Sequence, residues 1–248
     1  MSEARIGFSQ RIKLEWLERT ASLYLLGSSR DQIEQILQDL LSEQLSVGGT
    51  AERGTREKVI TILLRTWITV PVELRQLRDE GVEYLQRLPP PYHLVLHWGM
   101  CMATYPFFGA VADSTGRLLR LQGTVGAAQV QRRLREQLGE RETVARAARR
   151  VLRSFIDWSV LTETARKGAY RAAPQHSIED PRLTAWLLEA ALRSRGADVA
   201  SLHLLAQWPA LFPFSIDAVP RKDIEHSGRL ELFRQGVAEE MVLLRAGR

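Results

Sequence analysis

The sequence predicts a mainly α protein with an N-terminal helical bundle, a central helix-turn-helix followed by a hairpin, and a C-terminal helical region with a second β-hairpin. Three observations carry this. Apolar residues recur at three- and four-residue spacing through the first half of the chain. A glycine turn at Gly139 separates two amphipathic stretches. Short alternating segments flank Lys167-Gly168 and Gln235-Gly236, as in hairpins. The 248 residues then divide into a helical region over 1–123, a central domain over 124–173 and a mixed C-terminal region over 174–248. A chain of this length buries a sizeable core.

The elements follow in order. Ile12, Trp16, Leu17, Leu23 and Leu26 lie near one helical stripe that Gly27 ends. Ser29 and Gln32 have the form of a capping box, opening a helix with Ile33, Ile36, Leu37, Leu40 and Leu41 inside. "SVGGTAERG" reads as a loop, after which Thr55 caps a helix carrying Val59, Ile62, Leu63 and Trp67. Pro71 suits the first turn of another helix, which runs to the triple proline at Pro89–Pro91. Helices over about 92–104 and 106–122 complete the bundle. Beyond the central domain, "PQHSIEDPR" is a polar linker. Two helices follow over about 182–194 and 198–207, then the corner "WPALFPF" and the last hairpin.

From Leu94 to Ala112 no residue carries a formal charge, and the stretch approaches the length that spans a bilayer. His97, Pro106 and two glycines argue against a span. A buried helix that breaks at Pro106 and restarts at Phe107 accounts for the same residues, because proline removes a backbone donor. The expectation is no membrane. The single cysteine, Cys101, excludes an internal disulfide and suits a reducing cytosol. The N-terminus, charged throughout, is not a secretory signal.

The charge is unevenly placed. Residues 128–171 hold eleven basic and five acidic side chains, a net +6 in a chain whose total is +5. The remainder is therefore slightly acidic. On a helical projection from Arg141, Val144, Ala147, Ala148, Val151, Leu152 and Phe155 fill an arc of roughly 140°. Arg146, Arg149, Arg150 and Arg153 occupy about 100° on the opposite side. The apolar arc suits packing on Val130 and Leu134. The arginine arc is read as lacking any carboxylate among its members. Like charges at this spacing cost helix stability, which gives an anionic partner a physical motive.

The stretch "QVQRRLREQLG", the turn, "RETVARAARRVLRSFIDWSVL" and the hairpin "TETARKGAYRA" resemble the winged-helix class of helix-turn-helix domains. The central domain is expected on that resemblance to be a winged helix. The resemblance implies that Arg141, Thr143, Arg146 and Arg150 meet the major groove of double-stranded DNA, with Arg149 and Arg153 on the same basic face. It places Arg166 and Lys167 at the backbone or minor groove. A helix fits the major groove, and arginine pairs with guanine or binds phosphate. Size and element order also resemble the BrxA-like small subunit of BREX phage-defence systems. That resemblance implies a cytoplasmic, non-enzymatic accessory protein working beside other subunits of an antiviral defence complex. A winged-helix transcriptional regulator and a protein scaffold without DNA contact are the alternatives.

Other constellations read as structure. His93, His97 and Cys101 share one helical face, but the outer two lie about 12 Å apart by helical rise, too far for one tetrahedral metal site. They are read as core residues, with no metal. "RGTREK" sets basic charge at a helix start and is read as a solvated loop. Asp217, Asp223 and Glu231 lack the pattern of a metal clamp and are read as surface charge. The six tryptophans are read as core anchors. The chain has neither a GxSxG nor a GxxxxGK[ST] motif, and the reading includes neither catalytic residues nor a cofactor.

Overall fold

The computed structural model describes residues 6–45, 54–217, 219–236 and 239–245. Helices dominate, and the strands are short. The first four are α1 (Leu14–Leu25), α2 (Arg30–Ser42), α3 (Thr55–Trp67) and α4 (Arg75–Arg87). The Ser29 hydroxyl accepts from the Gln32 amide, and the Gln32 side chain accepts from the Ser29 amide, which closes the expected capping box. Ile33, Leu37 and Leu41 are buried, whereas Leu40 is exposed. Leu26, expected on the inner stripe of α1, caps the helix and is 78% exposed. Thr55 is the first helical residue rather than the cap, which is Gly54. Most of the "SVGGTAERG" segment lies outside the described residues.

Next come α5 (His93–Thr104) and α6 (Pro106–Gln122), bent from one another by 116°. Tyr105 ends one helix in extended conformation, and Pro106 opens the next at a position that needs no amide donor. Every residue of α5 is buried. This explains its lack of charge: a helix apolar all round belongs inside a protein. Among the described residues no single helix is long and apolar enough to cross a membrane.

The middle of the chain forms β1 (Val125–Gly126), α7 (Ala127–Leu138), α8 (Glu142–Asp157), β2 (Leu161–Glu163) and β3 (Ala169–Ala172). The sheet order is β1-β3-β2, all antiparallel, so the strand before the helix pair completes the sheet of the hairpin after it. Helix α6 packs on both α7 and α8.

The C-terminal region contains β4 (His176–Ser177), α9 (Pro181–Ser194), β5 (Val199–Ser201), α10 (Leu202–Ala206), β6 (Phe214–Ser215), α11 (Arg221–Ile224), β7 (Leu230–Gln235) and β8 (Glu239–Leu244). The helix expected over 198–207 is therefore a strand and a single short helix. Val199–Ser201 pairs with β8, and long-range pairing overrides the local preference. Ser201 then caps α10 through its hydroxyl. Strand β7 pairs with β8 on one side only. On its open side the Arg221 guanidinium donates to the Leu232 carbonyl, and the Leu232 amide donates to Glu225 at 3.0 Å.

One hydrophobic core draws residues from the N-terminal, middle and C-terminal parts of the chain. Trp98 on α5 stands at a junction, with ring contacts to Phe108 on α6, Phe155 on α8, Trp158, Phe212 and Phe214. Its indole also donates to the Ala210 carbonyl at 3.1 Å. Close approach needs glycine here: a Cβ on Gly116 of α6 stands 1.9 Å from the Pro209 carbonyl oxygen. All six tryptophans are buried.

Candidate nucleic-acid interface

The two helices of the central unit meet through small and branched side chains. Val130 and Leu134 of α7 and all six residues of the expected apolar arc on α8 are buried. Three residues, Gly139 to Arg141, make the turn. Gly139 has φ of 98°, a conformation that favours glycine, and its amide donates to Arg135. Helix α8 ends with Ser159 at φ 57° and with the Val160 amide donating to the Phe155 carbonyl at 3.0 Å. This is the six-to-one bond of a Schellman motif, with serine where glycine usually stands. The hairpin turns through Arg166–Ala169. The Ala169 amide donates to the Arg166 carbonyl, and Gly168 takes the positive φ.

The eight residues expected to meet DNA sit as follows. Arg141 caps α8, is half-buried and donates to the Leu138 carbonyl at 3.2 Å, which braces the turn. Thr143 is exposed in the first turn. Arg146 is exposed and lies 3.9 Å from Glu142. Arg149 is exposed and makes no ion pair among the described residues. Arg150 donates to the Ser9 carbonyl at 2.7 Å. Burial and then the Arg146 charge pull its guanidinium below the ordinary value, although it remains a cation. Arg153 lies 3.7 Å from Glu163 on β2. Arg166 and Lys167 are exposed at the hairpin tip, with no side-chain ion pair among the described residues.

The arginine arc therefore has acidic neighbours, contrary to the expectation. Glu142 projects within the arc one turn before Arg146, and Glu163 approaches from the hairpin. Both pairs are long and solvent-exposed, so each contributes little and parts readily.

The N-terminal segment 8–12 also belongs to this site, and Ile12, expected on the stripe of the first helix, lies before α1 in this segment instead. Phe8 and Ile12 are fully buried, with Phe8 edge-on to Tyr105 and Phe108. The Ile12 amide donates to Ser154 at 2.8 Å, and Trp158 donates to the Ile12 carbonyl at 2.9 Å. Arg11 forms two hydrogen bonds to Asp157, each 2.5 Å. This strap covers the flank of the C-terminal half of α8. The first two turns, with Thr143, Arg146 and Arg149, and the hairpin tip remain exposed.

The remaining candidates lie elsewhere. Of "RGTREK", expected to be a solvated loop, Arg53 lies outside the described residues, while Gly54 caps α3 and Thr55–Lys58 form its first turn, with Arg56 half-buried and donating to the Gln38 carbonyl at 3.4 Å. Cys101 is buried, and burial pushes its thiol up, which keeps it neutral. His93 and His97 share a partner that the sequence reading missed. Glu18 lies 2.9 Å from Nδ1 of His93 and 2.8 Å from Nε2 of His97. The Trp67 indole donates to Nδ1 of His97 at 3.2 Å, so His97 is the neutral Nε2–H tautomer. Burial lowers its proton affinity further, outweighing Glu18. Burial opposes ionisation of Glu18, but its bonds to His97 and His93 outweigh that and hold the carboxyl below its ordinary value.

Asp223, expected on the surface, is buried and lies 3.5 Å from Arg182. Glu231 pairs with Arg245, and Asp217 is exposed. Among the described residues no group of three or more potential ligands is placed to hold a metal ion.

Comparison of the chain with protein-family models, with curated proteins and with solved structures found no match.

Proposed function

We propose that the chain is a non-enzymatic double-stranded DNA-binding protein whose β1–β3 region, within residues 124–173, acts as a winged helix. In this reading the first two turns of α8 enter the major groove, and Arg166 and Lys167 hold the backbone or minor groove beside it. The observation that carries it is the concentration of exposed cations on a helix-turn-helix and its hairpin, in a chain otherwise slightly acidic. Arg149, Arg166 and Lys167 have no anionic side chain to satisfy them among the described residues. Arg146 and Arg153 have only long pairs that a phosphate outcompetes.

The resemblance to the BREX small subunit extends this to an accessory subunit of a bacterial phage-defence complex. A mobility-shift titration with duplex DNA at two salt concentrations tests the binding. If about five phosphates are neutralised, log K against log salt slopes by roughly −4 to −5. Absence of any shift at low salt overturns the reading.

A further inference from the structure

We infer that the groove beside α10 is a docking site for a basic, amphipathic helix of a partner protein. The groove has a volume of about 700 Å³, within the range of sites that bury a ligand. Leu202, Leu204 and Ile216 supply apolar lining, and Leu204 is 61% exposed although it is a large aliphatic residue. Asp217, Glu239 and Glu240 also line it, all exposed. None of these three carboxylates makes an ion pair among the described residues. Arg234 stands opposite Glu240 in strand register without reaching ion-pair distance.

An apolar lining among three unneutralised carboxylates, in a chain of net charge +5, selects an occupant with one apolar and one cationic face. The same acidic charge repels nucleic acid. An amphipathic helix carries apolar residues at successive turns along one face and cations along another, the arrangement that an apolar lining rimmed by carboxylates complements. This assignment is independent of the DNA-binding reading.

Two labelled helical peptides of equal length and identical leucine faces test it on the full chain, one with lysines on the polar face and one with glutamates. The lysine peptide binds, more weakly as salt rises, and the glutamate peptide does not. Leu204→Asp, at an exposed position that the fold tolerates, weakens the lysine peptide by at least about tenfold, and Asp217→Lys with Glu240→Lys reverses the preference. Circular dichroism and the melting temperature of each variant match the parent. Equal binding of both peptides, or unchanged binding to Leu204→Asp, overturns the proposal. So does self-association by light scattering that Leu204→Asp abolishes, since the occupant is then a second copy.

Discussion

The amide of Ile12 donates to the hydroxyl of Ser154 at 2.8 Å, in a contact closed to solvent. It joins the start of the chain to the helix that carries the basic face. Ser154 in turn donates to the Arg150 carbonyl at 3.3 Å.

Ser154→Ala leaves the Ile12 amide buried without an acceptor. The expected cost is about 1–3 kcal/mol, read as a lower urea midpoint with an unchanged slope. DNA affinity measured well below the transition stays at the parent value, because Ser154 faces the strap and not the groove. An unchanged midpoint would show that the strap adds nothing to stability.

Arg149→Glu with Lys167→Glu removes one cation from the helix and one from the hairpin tip, neither of which makes an internal ion pair among the described residues. Binding falls below detection at moderate salt, while the circular dichroism spectrum and melting temperature are retained. The double reversal of Arg146 and Arg150 also abolishes binding. Its melting temperature drops, because Arg150 holds the Ser9 carbonyl. Parent-like binding by the first pair removes the helix from the interface.

Acid destabilises the protein through His97. Its folded proton affinity is lowered by burial, so below about pH 6.5 the unfolded chain binds a proton that the folded chain does not. Stability falls with pH through that window with a slope approaching 1.4 kcal/mol per unit, taking ~6.5 as the unfolded value. Glu18, held below its ordinary value, contributes fully only above its unfolded value and loses that contribution as the pH falls from there through the lowered folded value. His97→Gln preserves a group able to accept from Trp67 and donate to Glu18. Denaturation at pH 7 and pH 5 should show this component of the slope gone.

Gly116→Ala drives a methyl group into the Pro209 carbonyl, and backbone cannot rotate aside as a side chain can. A loss of about 1–3 kcal/mol is expected from such overpacking. Thermal melting measures it. A neutral outcome would mean that the Pro209–Leu211 turn shifts freely.

Ser159→Gly relieves a left-handed conformation at the end of α8. A gain of about 0.5–1 kcal/mol is expected, seen as a raised melting temperature with unchanged DNA affinity. A loss would show that the serine side chain contributes more than its backbone costs.

Much of this was legible where the signal is local. The capping box at Ser29, the turn at Gly139, the apolar face of α8 and the buried helix broken at Pro106 follow from neighbours in sequence. The pairing of Glu142 with Arg146 was legible too, since glutamate four residues before arginine is a favourable helical spacing. What stayed hidden depends on distant partners. Ile12 and Trp158 meet across 146 residues, and Glu18 reaches His97 across 79. Val199–Ser201 is a strand only because β8 lies beside it. No property of those short stretches by themselves reveals this.

The brace that Arg221 and Glu225 place on Leu232 bears on how the molecule behaves in a crowd. An open strand border recruits the strands of neighbouring molecules, and a side-chain pair occupying its donor and acceptor denies them that template. The hydrogen bond from Leu232, then that from Arg221, hold the Glu225 carboxyl below its ordinary value, so the border stays closed in mild acid. Protonation of Glu225 takes away the anion that holds the Leu232 amide and the Arg221 side chain together. Acid strong enough to protonate it leaves the Leu232 amide and carbonyl as an unguarded pairing site.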